Sequence, residues 1–426
     1  MKKIKVGIEL IDNKIDDVDL STPENGNPGI GGSEYLFVLL ARYLQQAATD
    51  IEITCYHYGK AILPEGIHKV IVQEELEVIK RASADGMDIL IHQVRKGESW
   101  YEELNKANVS AIAWAHVYPE NDEMGFITRC DSVKRIVFVG KEEYDAYIDH
   151  DIIERSVFIY NMINTQREIP PRNVKAPVVT YVGSLVPAKG FHVLAEIWPW
   201  ILKKMPDAQL NIIGTGKVYD RRAILGKYGI AQEDYEQCFM KYLVTEEGKI
   251  HSSVHFLGLL GEEKEKIFAC TSVGVVNPTA ITETFCISAI EMELCGVPVV
   301  SKRKWGLYDT IIHRKTGMLF KTKKQFKDYL LYLLENKGIN EAYGENASVF
   351  VRENFEAERI IKEWIQLLYD VYKNKAVNYL GVQKNYDNDF KWVKLIIHFL
   401  RFNLCMRFIP SFETIKYKVK KIMHRI

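Results

Sequence analysis

The stretch Asn277–Ser301, NPTAITETFCISAIEMELCGVPVVS, decides how the rest of the chain is read. Two glutamates, Glu283 and Glu291, stand eight residues apart in it. An apolar strand, Ser272–Val276, leads into Asn277-Pro278, and a second strand, Val297–Val300, follows Cys295-Gly296. Gly296 suits a helix stop, and Pro298 cannot continue a helix. The stretch therefore reads as strand, loop, helix, strand, with one acid on the loop and one inside the helix.

That layout suits an elongated anionic ligand. Eight helical residues rise about 12 Å, roughly the reach from a sugar ring past a diphosphate to a ribose. Amides at a helix start attract anions, so the free N–H groups of Phe285, Cys286 and Ile287 are candidates for phosphate or sugar oxygens. A carboxylate beside a diphosphate is repelled by it, so Glu283 needs another purpose. It either accepts hydrogen bonds from sugar hydroxyls or caps the helix and complements its dipole. Spacing alone leaves both open. The pattern Glu-x7-Glu, set between a strand ending near Pro and a Gly-x-Pro-Val-Val strand, resembles the retaining nucleotide-sugar glycosyltransferases of family 4. The resemblance runs over roughly residues 3–373. It implies the GT-B fold: α/β, two Rossmann-like domains facing a central cleft, with a C-terminal helix crossing back to the first domain.

Toward the N-terminus, MKKIKVGIEL alternates as a first strand and does not read as a leader. Gly26–Gly32, GNPGIGG, precedes a periodic helix over about 33–46. Glycines there let the backbone approach a phosphate, although a flexible surface loop has the same composition. The resemblance places Gly31 and Gly32 opposite the donor diphosphate. Strands recur at Ile51–Tyr56, Met87–Gln93, Ala111–Ala115, Arg135–Val139 and Val157–Tyr160, with helical segments between several of them, which predicts a parallel sheet. Ligands in such sheets sit at the carboxyl ends of the strands. His92 and His116 lie at such ends. A structural role fits either one; the resemblance assigns His116, in AWAHVYP, to the donor sugar, and leaves His92 as a candidate for the acceptor cleft. Asn161–Asn164, NMIN, resembles the family's Asn-Gly-Val-Asp turn, and the proline-rich 165–177 reads as an interdomain linker.

Toward the C-terminus, Val178–Gly183 is a strand, followed by SLVPAKG and a helix from Phe191. Lys189 near that helix start opposes the macrodipole, a conflict that a bound diphosphate relieves. Gly-x-Leu-x-x-x-Lys-Gly resembles the family's phosphate loop. Where the family commonly carries arginine, this chain has Ser184, so Arg221 or Arg222 is expected to compensate from a neighbouring loop. Thr284 and Cys286 replace frequent glycines and are expected to narrow the sugar pocket. Trp305 and Tyr308 either face the acceptor or pack. The resemblance thus implies Glu283, His116 and Lys189 as catalytic, and Gly31, Gly32, Ser184, Thr284, Phe285, Cys286, Ile287 and Glu291 as donor-binding.

The chain has 426 residues, 47% of them hydrophobic, enough for two cores. Zero net charge gives no field for nucleic acid. Seven cysteines without a C-x-x-C pair suit reduced thiols rather than a disulfide frame. Asp17–Asp19 and Asp387–Asp389 form Asp-x-Asp strings outside any strand-end context, so no metal is expected, and no other cofactor. Residues 380–426 hold ten Lys/Arg against three Asp/Glu. Lys391, Lys394, His398 and Arg401 make a polar stripe on an otherwise apolar segment, which predicts a helix lying in the surface of an anionic membrane through residues 390–426; packing on the protein or on a second copy is the alternative.

The expected organisation is an acceptor domain over 1–164, a linker over 165–177, a donor domain over 178–355, a crossing helix within 356–376 and a basic tail over 377–426. The resemblance implies sugar transfer from a nucleotide-sugar to a saccharide or lipid-linked acceptor, in cell-surface polysaccharide or glycolipid synthesis; from the reduced thiols and the basic tail the expected location is cytoplasmic, peripherally at the inner face of the membrane. The rivals are another GT-B activity, such as a nucleotide-sugar epimerase, and a non-catalytic binding module that keeps the fold.

Overall fold

The computed structural model describes residues 3–15, 18–281, 283–383 and 390–423. Two sheets organise them, and all the pairings within each are parallel. The first contains β1 Ile4–Leu10, β2 Ile51–His57, β3 His68–Ile71, β4 Ile89–Gln93, β5 Ser110–Ala115, β6 Val133–Phe138 and β7 Ser156–Phe158, in the order 3-2-1-4-5-6-7. The second contains β8 Val178–Val182, β9 Gln209–Ile213, β10 Val254–Gly258, β11 Val273–Val275, β12 Val299–Lys302 and β13 Gly317–Phe320, in the order 10-9-8-11-12-13. Each sheet is thus a Rossmann-like layer whose strand order reverses beside its first strand, and a crevice opens there.

The central strands β4 and β5 are apolar almost throughout, as parallel strands covered on both faces must be. β3, HKVI, escaped the sequence reading because it is a short, largely exposed edge strand with no apolar alternation. The helix predicted before Gly296 begins only at Ile287 and ends at Leu294. Glu283 to Glu291 is therefore part loop and part helix, and the 12 Å helical rise does not apply.

The two halves share one core. Phe285, Ile287, Ile290 and Leu294 of the second half pack in the same apolar cluster as Phe37, Leu40 and Trp114 of the first. The helix Ala357–Tyr372 completes that cluster from behind, with Trp364 edge-on to Trp114 at 4.8 Å. It is held at its start by reciprocal backbone bonds between Ile163 and the Phe355–Ala357 turn. The segment after Asn164 is pinned rather than loose: Arg167 pairs with Glu265 at 2.7 Å, and Arg172 donates to the carbonyls of Thr271 and Ser272.

The tail packs on the first domain. Its helix Lys391–His398 turns the polar stripe inward and leaves Trp392 and Ile396 exposed. No helix among the described residues is long and apolar enough to cross a membrane.

Candidate active site

The cleft between the sheets narrows to a cavity of about 430 Å³ at the carboxyl ends of β5, β8, β9 and β11. Larger recesses exist, one of about 800 Å³ beneath the tail and one of about 900 Å³ along the linker, but neither gathers strand ends or facing domains. The small cavity is lined by every residue expected at the site: Gly31, Gly32, His116, Ser184, Lys189, Glu283, Thr284, Phe285, Cys286, Ile287 and Glu291.

Two loops of the second domain build its centre. After β11, Asn277 takes a left-handed φ of 32°, which asparagine tolerates. Its Oδ1 accepts from the Ala280 amide at 2.9 Å, and its Nδ2 donates to Glu283 at 2.7 Å. The side chain of one loop residue thus aims the carboxylate of another. After β8, the turn at Lys189 ends in Gly190, φ 71°, where a Cβ would lie 2.9 Å from the Thr279 amide. Only glycine lets these loops touch here. Thr279 then donates to the Ala188 carbonyl at 2.8 Å, and the Tyr181 hydroxyl donates to the Lys189 carbonyl at 2.9 Å. The result is a pair not foreseen from sequence: Lys189 Nζ lies 2.8 Å from Glu283 Oε2. Burial works against the ammonium, but the Glu283 carboxylate more than offsets it and holds the Lys189 pKa above the usual lysine value.

Glu291, one helical turn beyond Ile287, forms a second pair with Lys264, Nζ to Oε1 2.6 Å, and both are buried. Lys264 also donates to the Asn27 carbonyl of the Gly-rich loop at 3.2 Å. This lysine was missed. Within GEEKEKIF it is masked by acids, yet it stands as the first residue of the helix Lys264–Ala269, the same dipole conflict that singled out Lys189. The expected substitutes for an arginine at Ser184 are elsewhere. Arg221 donates to the Gly29 carbonyl at 3.2 Å, and Arg222 is exposed beside Asp220; neither lines the cavity. Ser184 is buried, its hydroxyl 3.4 Å from the Thr215 carbonyl.

The helix start adds donors. The first helical bond from this end runs to the Cys286 carbonyl, so the amides of Cys286, Ile287 and Ser288 precede the ladder and face the cavity. Thr284 turns its hydroxyl to the His116 carbonyl at 2.9 Å and so ties the domains together. Gly306, where a Cβ would meet the Thr284 carbonyl at 1.8 Å, donates to the Glu283 carbonyl at 3.0 Å and braces the loop from below. The Phe285 ring belongs to the core, against Tyr160 and Phe355, which leaves only its backbone for a ligand. Burial pushes the Cys286 thiol well up, so it stays protonated and is not a nucleophile.

On the facing domain, burial pushes the His116 ring down to about 3, and it packs on Trp114 at 4.4 Å with Nε2 unpartnered. It is a neutral group at the cavity wall. Glu34, in the first turn of the helix Gly32–Ala47, also lines the cavity, and burial raises its carboxyl. Asn161 and Tyr219 line it too. His92 is a correction: it is fully buried against Trp100, with Nδ1 2.7 Å from the Gln93 carbonyl, and lines no cleft. Trp305 packs tilted on Tyr118 across the domains, ring centroids 4.8 Å apart, and with Tyr308 borders a recess of about 250 Å³. Among the described residues no cluster of three metal-ligating side chains occurs; Asp17 and Asp387–Asp389 lie outside them.

Comparison with known proteins agrees with this geometry. Residues 162–350 match the family model described as glycosyl transferases group 1. The chain is 26% identical over 258 residues to trehalose synthase of Thermococcus litoralis, covering 53% of this chain and 58% of that protein. The chain thus spans about half the length of this curated relative. Among solved structures, sucrose-phosphate synthase of Thermosynechococcus elongatus superposes with a TM-score of 0.66 at 16% identity, over 88% of this chain and all of that one. HepE of Anabaena, solved with UDP and glucose, gives 0.64 at 14% identity, over 86% of this chain and all of its own. The chain therefore has the GT-B fold, and its residues 162–350 are similar to the glycosyl transferases group 1 family.

Proposed function

We propose that the chain is a retaining glycosyltransferase of family 4 that moves a hexosyl group from a nucleotide-sugar to a saccharide or lipid-linked acceptor, in surface polysaccharide or glycolipid synthesis. The observation that carries this reading is the meeting, in one cavity, of Lys189, Lys264 and the amides of Cys286, Ile287 and Ser288. Cations and a helix start aimed at one place stabilise a departing diphosphate electrostatically, with no metal required. Glu283 already accepts from Lys189 and Asn277, which lowers its power as a nucleophile and leaves it to receive sugar hydroxyls. Glu291, deeper along the helix, takes the ribose hydroxyls. His116, uncharged, offers a hydrogen bond to the sugar without repelling the lysines. Domain contact through Thr284 and Lys264 keeps water from the donor. The similarity to the group 1 family and the UDP- and glucose-bound relative of the same fold support this reading.

The test is to follow nucleoside diphosphate release by the full-length chain from a panel of nucleotide-sugars, with and without EDTA. One donor should be consumed, chelation should leave the rate largely intact, and proton NMR of the product should show the donor's anomeric configuration. Stabilisation by a nucleoside diphosphate without any turnover would make the chain a binding module. Complete loss with EDTA, restored by manganese, would overturn the metal-free mechanism.

A further inference from the structure

The tail is amphipathic inside out. Its charged stripe is what packs on the protein. Lys394 is buried, with Nζ 2.8 Å from the Ala146 carbonyl, His398 Nδ1 lies 2.6 Å from the Ile148 carbonyl, and buried Arg401 pairs with Asp151 at 2.6 Å. Ile397 is also buried and Leu395 and Phe402 pack on the first domain's core, but four apolar residues of the same segment face outward: Trp392 is 76% exposed, Ile396 60%, Phe399 52% and Phe408 81%. A water-facing helix would be seated the other way, with its apolar side on the core. The next helix, Phe412–Met423, buries no side chain. It meets the first domain through polar bonds, Phe412 N to Asp149 at 2.6 Å and Tyr417 to Asp122 at 3.0 Å, and exposes Ile415, Val419, Ile422 and Met423. Lys416, Lys418, Lys420 and Lys421 flank that apolar row and are exposed, against a single acid, Glu413.

We propose that this face of the first domain docks on an anionic membrane, with Trp392, Ile396, Phe399 and Phe408 entering the acyl boundary and the lysines meeting the headgroups. A contiguous outward apolar surface marks an interaction site, and its charge selects the occupant. Four lysines around an apolar row complement anionic lipid. In a two-fold dimer the same patch meets itself, so the lysines would face their own copies and repel. The buried Lys394 and Arg401, with the part-buried His398, tie the presenting segment to the first domain. This docking does not depend on sugar transfer and is measured without turnover.

The test uses the full-length chain with phosphatidylcholine vesicles, made with and without phosphatidylglycerol. It should co-sediment with the anionic vesicles, less so as salt rises. Trp392 is the one exposed tryptophan, so emission should shift to the blue on binding. Trp392→Ser/Phe399→Ser/Phe408→Ser should weaken binding by about tenfold or more. Lys418→Gln/Lys420→Gln/Lys421→Gln should weaken binding to anionic vesicles alone. Both variants should melt as the parent does, because the altered side chains are exposed. Either variant binding like the parent would overturn the proposal. So would a chain that ignores vesicles and dimerises through a contact that the triple serine variant dissolves.

Discussion

Lys189–Glu283 and Lys264–Glu291 are the same chemistry twice, an ammonium on a buried carboxylate at hydrogen-bond distance, with Lys264 buried and Lys189 part-exposed. They differ in what holds them. The first belongs wholly to the second domain: Lys189 is fixed by Tyr181 and by the loop contact at Gly190, and Glu283 by Asn277. The second pair reaches across the cleft, because Lys264 also donates to Asn27. The difference teaches that one domain carries a prepared reaction site, while the other pair reports whether the cleft is closed. A buried ion pair is weak evidence of net stability, since desolvation offsets attraction. Two of them in one cavity therefore point to ligand chemistry more than to folding.

That contrast can be broken. The largest effect is expected from Glu283→Gln, which keeps shape and removes charge at the pair that stands alone. Transfer should fall about 10³-fold, or about 4 kcal/mol of barrier, while the melting temperature changes little. Near-parental turnover would remove Glu283 from the reaction.

Next comes the bridging pair. Lys264→Met leaves Glu291 buried without its cation, at a cost of about 3 kcal/mol in stability. Donor KM should rise, and small-angle scattering should report a more open chain. Lys264→Met/Glu291→Met removes both charges and should recover most of the stability but not the KM. A single variant with unchanged KM and scattering would erase the distinction between the pairs.

The smallest effect concerns His116, the uncharged wall opposite both pairs. Its pKa lies at about 3 in the folded chain against an ordinary 6.5. Below pH 6.5 the unfolded chain takes a proton that the folded chain refuses, so stability is lost progressively as pH falls from 6.5 toward 3. His116→Asn should lose less of its melting temperature between pH 6.5 and 4 than the parent does. Parallel curves would mean that the ring is charged in the folded chain.

Much of the site was legible because it is local. Glu283, Lys189, Gly31 and the helix start at Ile287 sit in loops between an apolar strand and a periodic helix, where residue type, spacing and family resemblance point the same way. His92 misled because a strand-end position says nothing about which face the ring takes, and here it packs on Trp100. Lys264 was hidden among acids at its own helix start. The arginine expected to compensate for Ser184 was sought in the segment after β9, whereas the second cation, Lys264, comes from the segment after β10.

Alternation, glycine placement and the order of strands and helices were determined by the sequence itself, since they depend on backbone sterics and on the period at which apolar residues recur. The tertiary structure alone decided which charges meet and which way the tail faces. Glu283 and Lys189 are 94 residues apart, and nothing local brings them together; two loops folded against Gly190 do. In the tail the period of the stripe was plain, but a period marks two faces without saying which one is inside. That choice rested on Ala146, Ile148 and Asp151, whose oxygens outbid water for Lys394, His398 and Arg401 and left the aromatic side facing out.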